Sequence, residues 1–217
     1  MSDKPLDGTV VDIDGNVYKT VKIGTQVWMA ENLKVTRYRN GNPIPNVLDD
    51  KAWRVLSTGA YSNYNNDENL VKTYGRLYNW HAVSDSRGIA PKGWHIPSDE
   101  EWTTLTNTLG GDAVAGGEMK EAGTEHWLAP NKGANNKSGF NGLPGGMRNP
   151  GWGIVGNPSS GGNFDYIGKY GHWHTSTEYD SRSVNRRYIV YDGLGIGKWD
   201  PYPKESGFSI RCVRDLP

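Results

Sequence analysis

Cysteine is almost missing from this sequence: Cys212 is the one thiol among 217 residues. A lone Cys excludes an internal disulfide, and with it every fold that relies on a disulfide framework. Aliphatic residues are scarce as well, and hydrophobic residues of all kinds make up only 35% of the chain. No apolar run approaches the ~20 residues needed to cross a membrane. Neither sign of charge dominates, with 24 basic against 24 acidic residues. No basic patch stands out, so nucleic acid is excluded as an expected partner. The opening Met1-Ser2-Asp3-Lys4-Pro5 has no apolar segment of the kind that drives export. Two expectations follow for the cell address. One is a cytoplasmic protein; the other is a mature exported fragment whose leader has been trimmed.

What the chain has instead is rings and glycine: nine Trp, twelve Tyr and 29 Gly. One Trp buries about 150–250 Å², so a few rings replace many leucines in a core. Glycine at this density signals many tight turns and positions of positive φ. A chain of this length buries roughly 70% of its unfolded surface and needs no metal to fold. The expectation is one α+β domain over residues 9–217, loop-rich, with short strands and few helices, behind a polar tail at 1–8.

Along the chain, Thr9 to Tyr18 carries Asp14-Gly15-Asn16 between alternating flanks, a hairpin signal. Tyr18 to Ile23 alternates and reads as a strand, and Val27-Trp28-Met29 as another. Leu70, Tyr74, Leu77, Tyr78 and His81 recur at spacings of 3 and 4, which predicts one helical face. Ser98-Asp99-Glu100-Glu101 matches a capping box, with Trp102, Leu105 and Leu109 as the stripe behind it and Gly110-Gly111 as the stop. A short helix is expected around 117–121. Residues 129–171 are rich in Gly, Asn, Pro and Ser, yet Phe140, Leu143, Trp152 and Phe164 punctuate them, which favours an ordered irregular segment over a linker. Three strands are expected near 172–178, 186–191 and 208–213. On the last, alternation places Cys212 on the face of Phe208 and Ile210 and predicts its burial.

Several segments together resemble the Fibrobacter succinogenes major paralogous domain family. They are Asp14 to Tyr18 with Thr20 to Leu33, then Tyr74-Gly75-Arg76-Leu77-Tyr78-Asn79-Trp80, Pro91 to Trp102, Leu143-Pro144-Gly145-Gly146, Trp173 to Glu178, and Arg211 to Asp215. The resemblance implies a C-type-lectin-like fold, in the variety seen in formylglycine-generating enzymes: two main helices on small, twisted antiparallel sheets with long irregular loops. It also implies an exported protein at the outer membrane or cell surface, often a lipoprotein, and hence a lipid anchor on the untrimmed chain. Some members are similar to variable ligand-binding proteins. Many members carry a Cys where this chain has Ala90, so the resemblance implies that Cys212 has lost its partner.

The candidate sites divide by chemistry. Formylglycine-generating enzymes hold copper with two cysteines, and one Cys cannot do so. The H-x-x-x-H-x-E iron pattern of related sulfoxide synthases does not occur, nor do G-x-S-x-G, H-E-x-x-H or a P-loop. The sugar-binding triplets of calcium-dependent lectins are missing as well. Asp12 to Asn16 superficially looks like a calcium loop but lacks its closing acidic residue, so a hairpin turn is the better reading. Asn66, Asp67 and Glu68 form another oxygen-rich cluster, explained equally well by helix capping. A structural calcium ion is the one cofactor left open. His172 and His174, two apart on a strand, share a face with Ser176 and Glu178 and are expected at the surface. Glu178 lies too far along the strand from His172 to complete a zinc site with it. Beyond them come Tyr179, Asp180, Arg182, Arg186, Tyr188, Tyr191, Trp199 and Tyr202. Tyr, Trp and Arg mixed with Asp and Ser are the composition of recognition surfaces. The expected function is therefore a non-catalytic surface module that binds an extracellular glycan, peptide or protein through this stretch. A structural or adhesive envelope subunit, or an unrecognised enzyme, stand as alternatives.

Overall fold

The computed structural model describes residues 8–151, 163–198 and 201–215. In chain order the elements are β1 (Thr9–Val11), β2 (Val17–Ile23), β3 (Gln26–Met29), α1 (Asp50–Arg54), β4 (Tyr61–Ser62), α2 (Val71–Tyr74), β5 (Leu77–Tyr78), α3 (Trp80–Val83) and β6 (Trp94–His95). They continue with α4 (Asp99–Thr108), α5 (Ala115–Met119), β7 (Gly145–Arg148), β8 (Phe164–Ile167), β9 (Tyr170–Glu178), β10 (Ser183–Val190), β11 (Ile196–Gly197), β12 (Tyr202–Pro203) and β13 (Val213–Arg214). The fold is α+β, sheet-dominated, with few and short helices. One sheet runs β1-β2-β3-β13-β6, so a strand from the end of the chain sits between strands from its first half. A second runs β11-β10-β9-β7-β8, with β12 also on β10, and β4-β5 forms a third. Within the second sheet β7 pairs with β9 in parallel, through Gly146 opposite Gly171.

The first hairpin forms as its turn residues dictate. One Asp12 oxygen accepts the backbone N–H groups of Asp14 and Asn16, and the other accepts the Asn16 amide and the Tyr18 hydroxyl. Both oxygens are spent on the turn. The capping box is present at α4: Ser98 Oγ accepts from Glu101 N, and the Glu101 carboxylate accepts from Ser98 N. The helix expected across 70–82 is not continuous. Gly75 leaves the helical region with φ of 74°, and Leu77 and Tyr78 pair with Ser62 and Tyr61 as β5 on β4. Asn79 then caps the separate α3 through Ala82 N. Pairing with a distant strand overrides the local 3.6-residue spacing here. Near 117–121 the short helix is displaced to Ala115–Met119. Trp152 lies outside the described residues.

Aromatic rings do fill the core. Trp28, Trp102, Phe140 and Trp173 pack together, with Trp28 and Trp102 centroids 4.9 Å apart and Phe140 edge-on to Trp173 at 5.6 Å. A second cluster gathers Tyr18, Leu33, Tyr38, Tyr78, Ile210 and Cys212. Cys212 is fully buried, and burial pushes its thiol pKa up, so it packs as a small apolar residue. Ala90 belongs to the same cluster.

The core is tied by buried polar side chains. Asn32, just after β3, uses all four of its hydrogen-bonding positions. Its Oδ1 accepts from Trp173 Nε1 and Arg211 Nε, both at 2.9 Å, and its Nδ2 donates to the Tyr74 carbonyl and to Ser209 Oγ. Arg211 is 1% exposed and donates further to the carbonyls of Met29, Phe140 and Asn141. Burial lowers its pKa. Lys120 is likewise buried, its Nζ donating to the carbonyls of Lys132, Val190 and Gly193.

Candidate functional site

The long strands β9 and β10 form the second sheet's centre, and register places His172 opposite Tyr188 and His174 opposite Arg186. Period-2 alternation sends Trp173 into the Trp28–Trp102 core, as expected. The opposite face is where the sequence reading needs correction. His172 is 2% exposed and His174 fully buried, so they do not form a surface pair. Only Ser176 and Glu178, farther along the same strand, reach solvent. The reason is a second layer. Phe208 and Tyr202 cover this face, with Phe208 ring centroids 5.5 Å from His172 and 5.0 Å from His174.

Half-buried tyrosines surround His172 as well. Tyr170 stacks on His172 at 5.4 Å, Tyr188 lies 6.0 Å from it, and Tyr166 lies 4.9 Å from Tyr170. The Arg186 guanidinium lies 4.3 Å from the Tyr188 ring centre and 4.2 Å from that of Tyr202, a cation held against two π faces. Arg186 is 3% exposed and its Nη1 lies 2.8 Å from His172 Nδ1. A guanidinium can only donate, so His172 accepts at Nδ1 and carries its proton on Nε2. Burial first, then the Arg186 charge, holds the His172 pKa well below its ordinary value. The result is a neutral imidazole and a positive centre under a tyrosine rim. His174 lies deeper, its Nε2 bonded to the Tyr78 carbonyl at 2.8 Å, and burial draws its pKa down to about 4.

The structure thus brings His172, Arg186, Tyr188 and Tyr202 together, with His174 beneath. It separates the other candidates. Tyr179, Asp180 and Arg182 lie in the β9–β10 turn, where Tyr179 is 51% exposed. Asp180 is occupied in shaping that turn, since its carboxylate accepts from Arg182 N and Ser183 N. The turn borders a cleft of about 580 Å³ lined by His81, Ser181, Arg182, Pro203, Lys204 and Glu205. Tyr191 departs to the other side and packs on the Trp28 core. Trp199 lies outside the described residues.

Tyr166 and Tyr170 were missed by sequence reasoning, hidden in the Gly/Asn-rich stretch. Tyr170 could have been found, because it stands two residues before His172 on the same strand. Tyr166 adopts φ of 69°, rare for a ring-bearing residue, at the start of the turn whose Lys169 N–H bonds its carbonyl.

The oxygen-rich clusters also have occupations. The Asp14 carboxylate accepts from Thr36 N and Oγ1 and pairs with Arg37. Asp67 caps Asn69 N, and Glu68 pairs with Arg76 at 2.8 Å. Each is therefore a turn, cap or ion pair, consistent with the non-metal readings of these segments.

Comparison with known families gives one finding. The sequence model of the Fibrobacter succinogenes major domain matches residues 21–214, and the chain belongs to that family. Comparisons with curated proteins and with solved structures give no match. The family segments serve architecture here: Asn32, Gly75, Asn79, Ser98, Trp102, Trp173 and Arg211 all hold the core or its caps.

Proposed function

We propose that this family member is a non-catalytic binding module, a C-type-lectin-like domain displayed outside the cell. It takes a glycan or peptide on the face formed by Tyr166, Tyr170, Tyr188 and Tyr202. The observation that carries this reading is the arrangement itself: four half-exposed phenol rings clustered over a buried, mutually bonded Arg186–His172 pair. Tyrosine offers wide contact area with few rotamers to freeze, plus a hydroxyl that reads a partner's polar groups. The buried pair fixes the rings and so lowers the ordering cost of binding. A glycan array and a displayed peptide library, probed with the wild type, identify the ligand. Against that ligand Tyr188→Ala should lose about 2 kcal/mol or more, a weakening of roughly thirtyfold, as a central ring does. Circular dichroism and melting controls show whether the variant stays folded. A folded Tyr188→Ala protein with unchanged affinity would place recognition elsewhere.

One observation favours the adhesive reading. Val11 and Val17, cross-strand partners, are 50% and 56% exposed, with Ile13 at 41% in the turn between them, and β1 ends its sheet. An exposed apolar pair of this kind is a hazard for non-specific association or a docking surface. If self-association is its purpose, Val17→Lys should convert a concentration-dependent oligomer to monomer in light scattering. A wild type that is monomeric at all concentrations argues against it.

A further inference from the structure

We propose that Glu121, Glu125 and His126 bind one divalent transition-metal ion of the zinc class. One ligand atom from each of the three lies within 4.8 Å of the other two. Glu121 and His126 are half-buried, and His126 Nδ1 already lies 2.9 and 3.0 Å from the two Glu121 oxygens. Zinc bonds of about 2.0–2.1 Å place tetrahedral neighbours about 3.3 Å apart. The existing pair therefore needs to open by only a few tenths of an ångström to admit the ion. Glu125, exposed, can then swing in as third ligand, and water supplies the fourth. Imidazole nitrogen beside carboxylate selects zinc, cobalt or nickel over calcium and magnesium.

Charge points the same way. A His–Glu pair needs one carboxylate, yet two converge here, and like charges this close repel. A dication neutralises both. The segment carrying them is held at both ends. Glu121 N donates to the Gly142 carbonyl, and the buried Trp127, next to His126, donates through Nε1 to the same oxygen at 3.0 Å. The Asn131 side-chain amide, in a residue 6% exposed, grips the carbonyls of Glu121 and Gly123. The His126 ring meets Tyr74 edge-on at 5.7 Å, which fixes its plane. Little ordering cost is left for the ion to overcome.

The test uses the full chain, stripped with EDTA and titrated with zinc chloride by calorimetry, and with cobalt(II) by visible absorption. One ion per chain is expected. His126→Gln and Glu125→Gln should each weaken zinc by about tenfold or more. Because Glu125 is exposed, its substitution leaves the fold intact and keeps the test decisive if His126→Gln is unstable. Glu205→Gln, in the distant turn cleft, should change nothing. No heat of binding from the wild type overturns the proposal, leaving an ion pair only. Zinc binding unaltered by Glu125→Gln and His126→Gln overturns it too, since the ion would then sit elsewhere.

Discussion

Arg211→Met should cost the fold about 3–5 kcal/mol, read as a fall in the urea midpoint at constant slope. The guanidinium is buried and donates to Asn32 Oδ1 and to the carbonyls of Met29, Phe140 and Asn141. Met fills part of the volume but donates nothing. Each acceptor left unpaired in the interior costs about 1–3 kcal/mol. The gain from no longer burying a cation offsets some of this, not all, because three carbonyls lose this donor at once and Asn32 Oδ1 is left with Trp173 alone. The damage spreads through Asn32, which also holds Trp173 and Ser209. Arg211→Lys should recover only part of the loss, since a point ammonium cannot satisfy a forked set of acceptors. A loss below about 1 kcal/mol in Arg211→Met would mean that the Asn32 hub does not hold the two sheets together.

Local chemistry made some of this fold legible. The Asp12–Asn16 turn and the Ser98–Glu101 box are set by contacts within four residues, and both appear as read. Cys212 is buried as read, although alternation does not select it there, since Ser209, Arg211 and Val213 are buried as well. Where reading failed, distant chain had intervened. Spacing across Leu70–His81 suits a helix, but Gly75 approaches Asn32 and Leu33 and Leu77 joins a strand. His172 and His174 point away from Trp173 as predicted, yet Phe208 and Tyr202, thirty residues on, bury them. Alternation gives the face a side chain takes; it does not say whether that face is covered. The expectation of a C-type-lectin-like topology came from family resemblance and from no single pattern in the residues.

The candidate face was half legible for the same reason. His172, Arg186, Tyr188 and Tyr202 were singled out by composition, and register unites them. Tyr179, Asp180 and Arg182 share that composition but belong to the turn, where Asp180 is committed to backbone N–H groups. Composition identified the segment rather than the surface. Tyr170 lay within reach of alternation from His172, whereas Tyr166 required knowing that β7, β8 and β9 meet at one junction.

That junction rests on Gly146, and Gly146→Ala should be strongly damaging for so small a substitution. Gly146 has φ of 65° and faces Gly171 across the parallel β7–β9 pair. A Cβ there would run into the Asp165 carbonyl oxygen, come within 2.7 Å of the Tyr64 ring and within 2.8 Å of Ile167 N. Two of the three obstacles are backbone and cannot turn aside. Positive φ costs an alanine about 1 kcal/mol or more, and overpacking a tight interior costs about 1–3 more. The expected loss is about 3–4 kcal/mol in chemical denaturation. Its neighbour supplies the control. At Gly145 a Cβ would meet Ser209 Oγ at 3.5 Å and Tyr74 Cβ at 3.6 Å, ordinary contacts, so Gly145→Ala should cost under about 1 kcal/mol. The two backbone obstacles at Gly146 belong to β8, the strand that carries Tyr166. Any Gly146→Ala protein that survives should therefore bind more weakly on the tyrosine face, while Gly145→Ala binds normally. Equal stability for the two variants would show that β8 yields at this point, and that the tyrosine rim is not held by it.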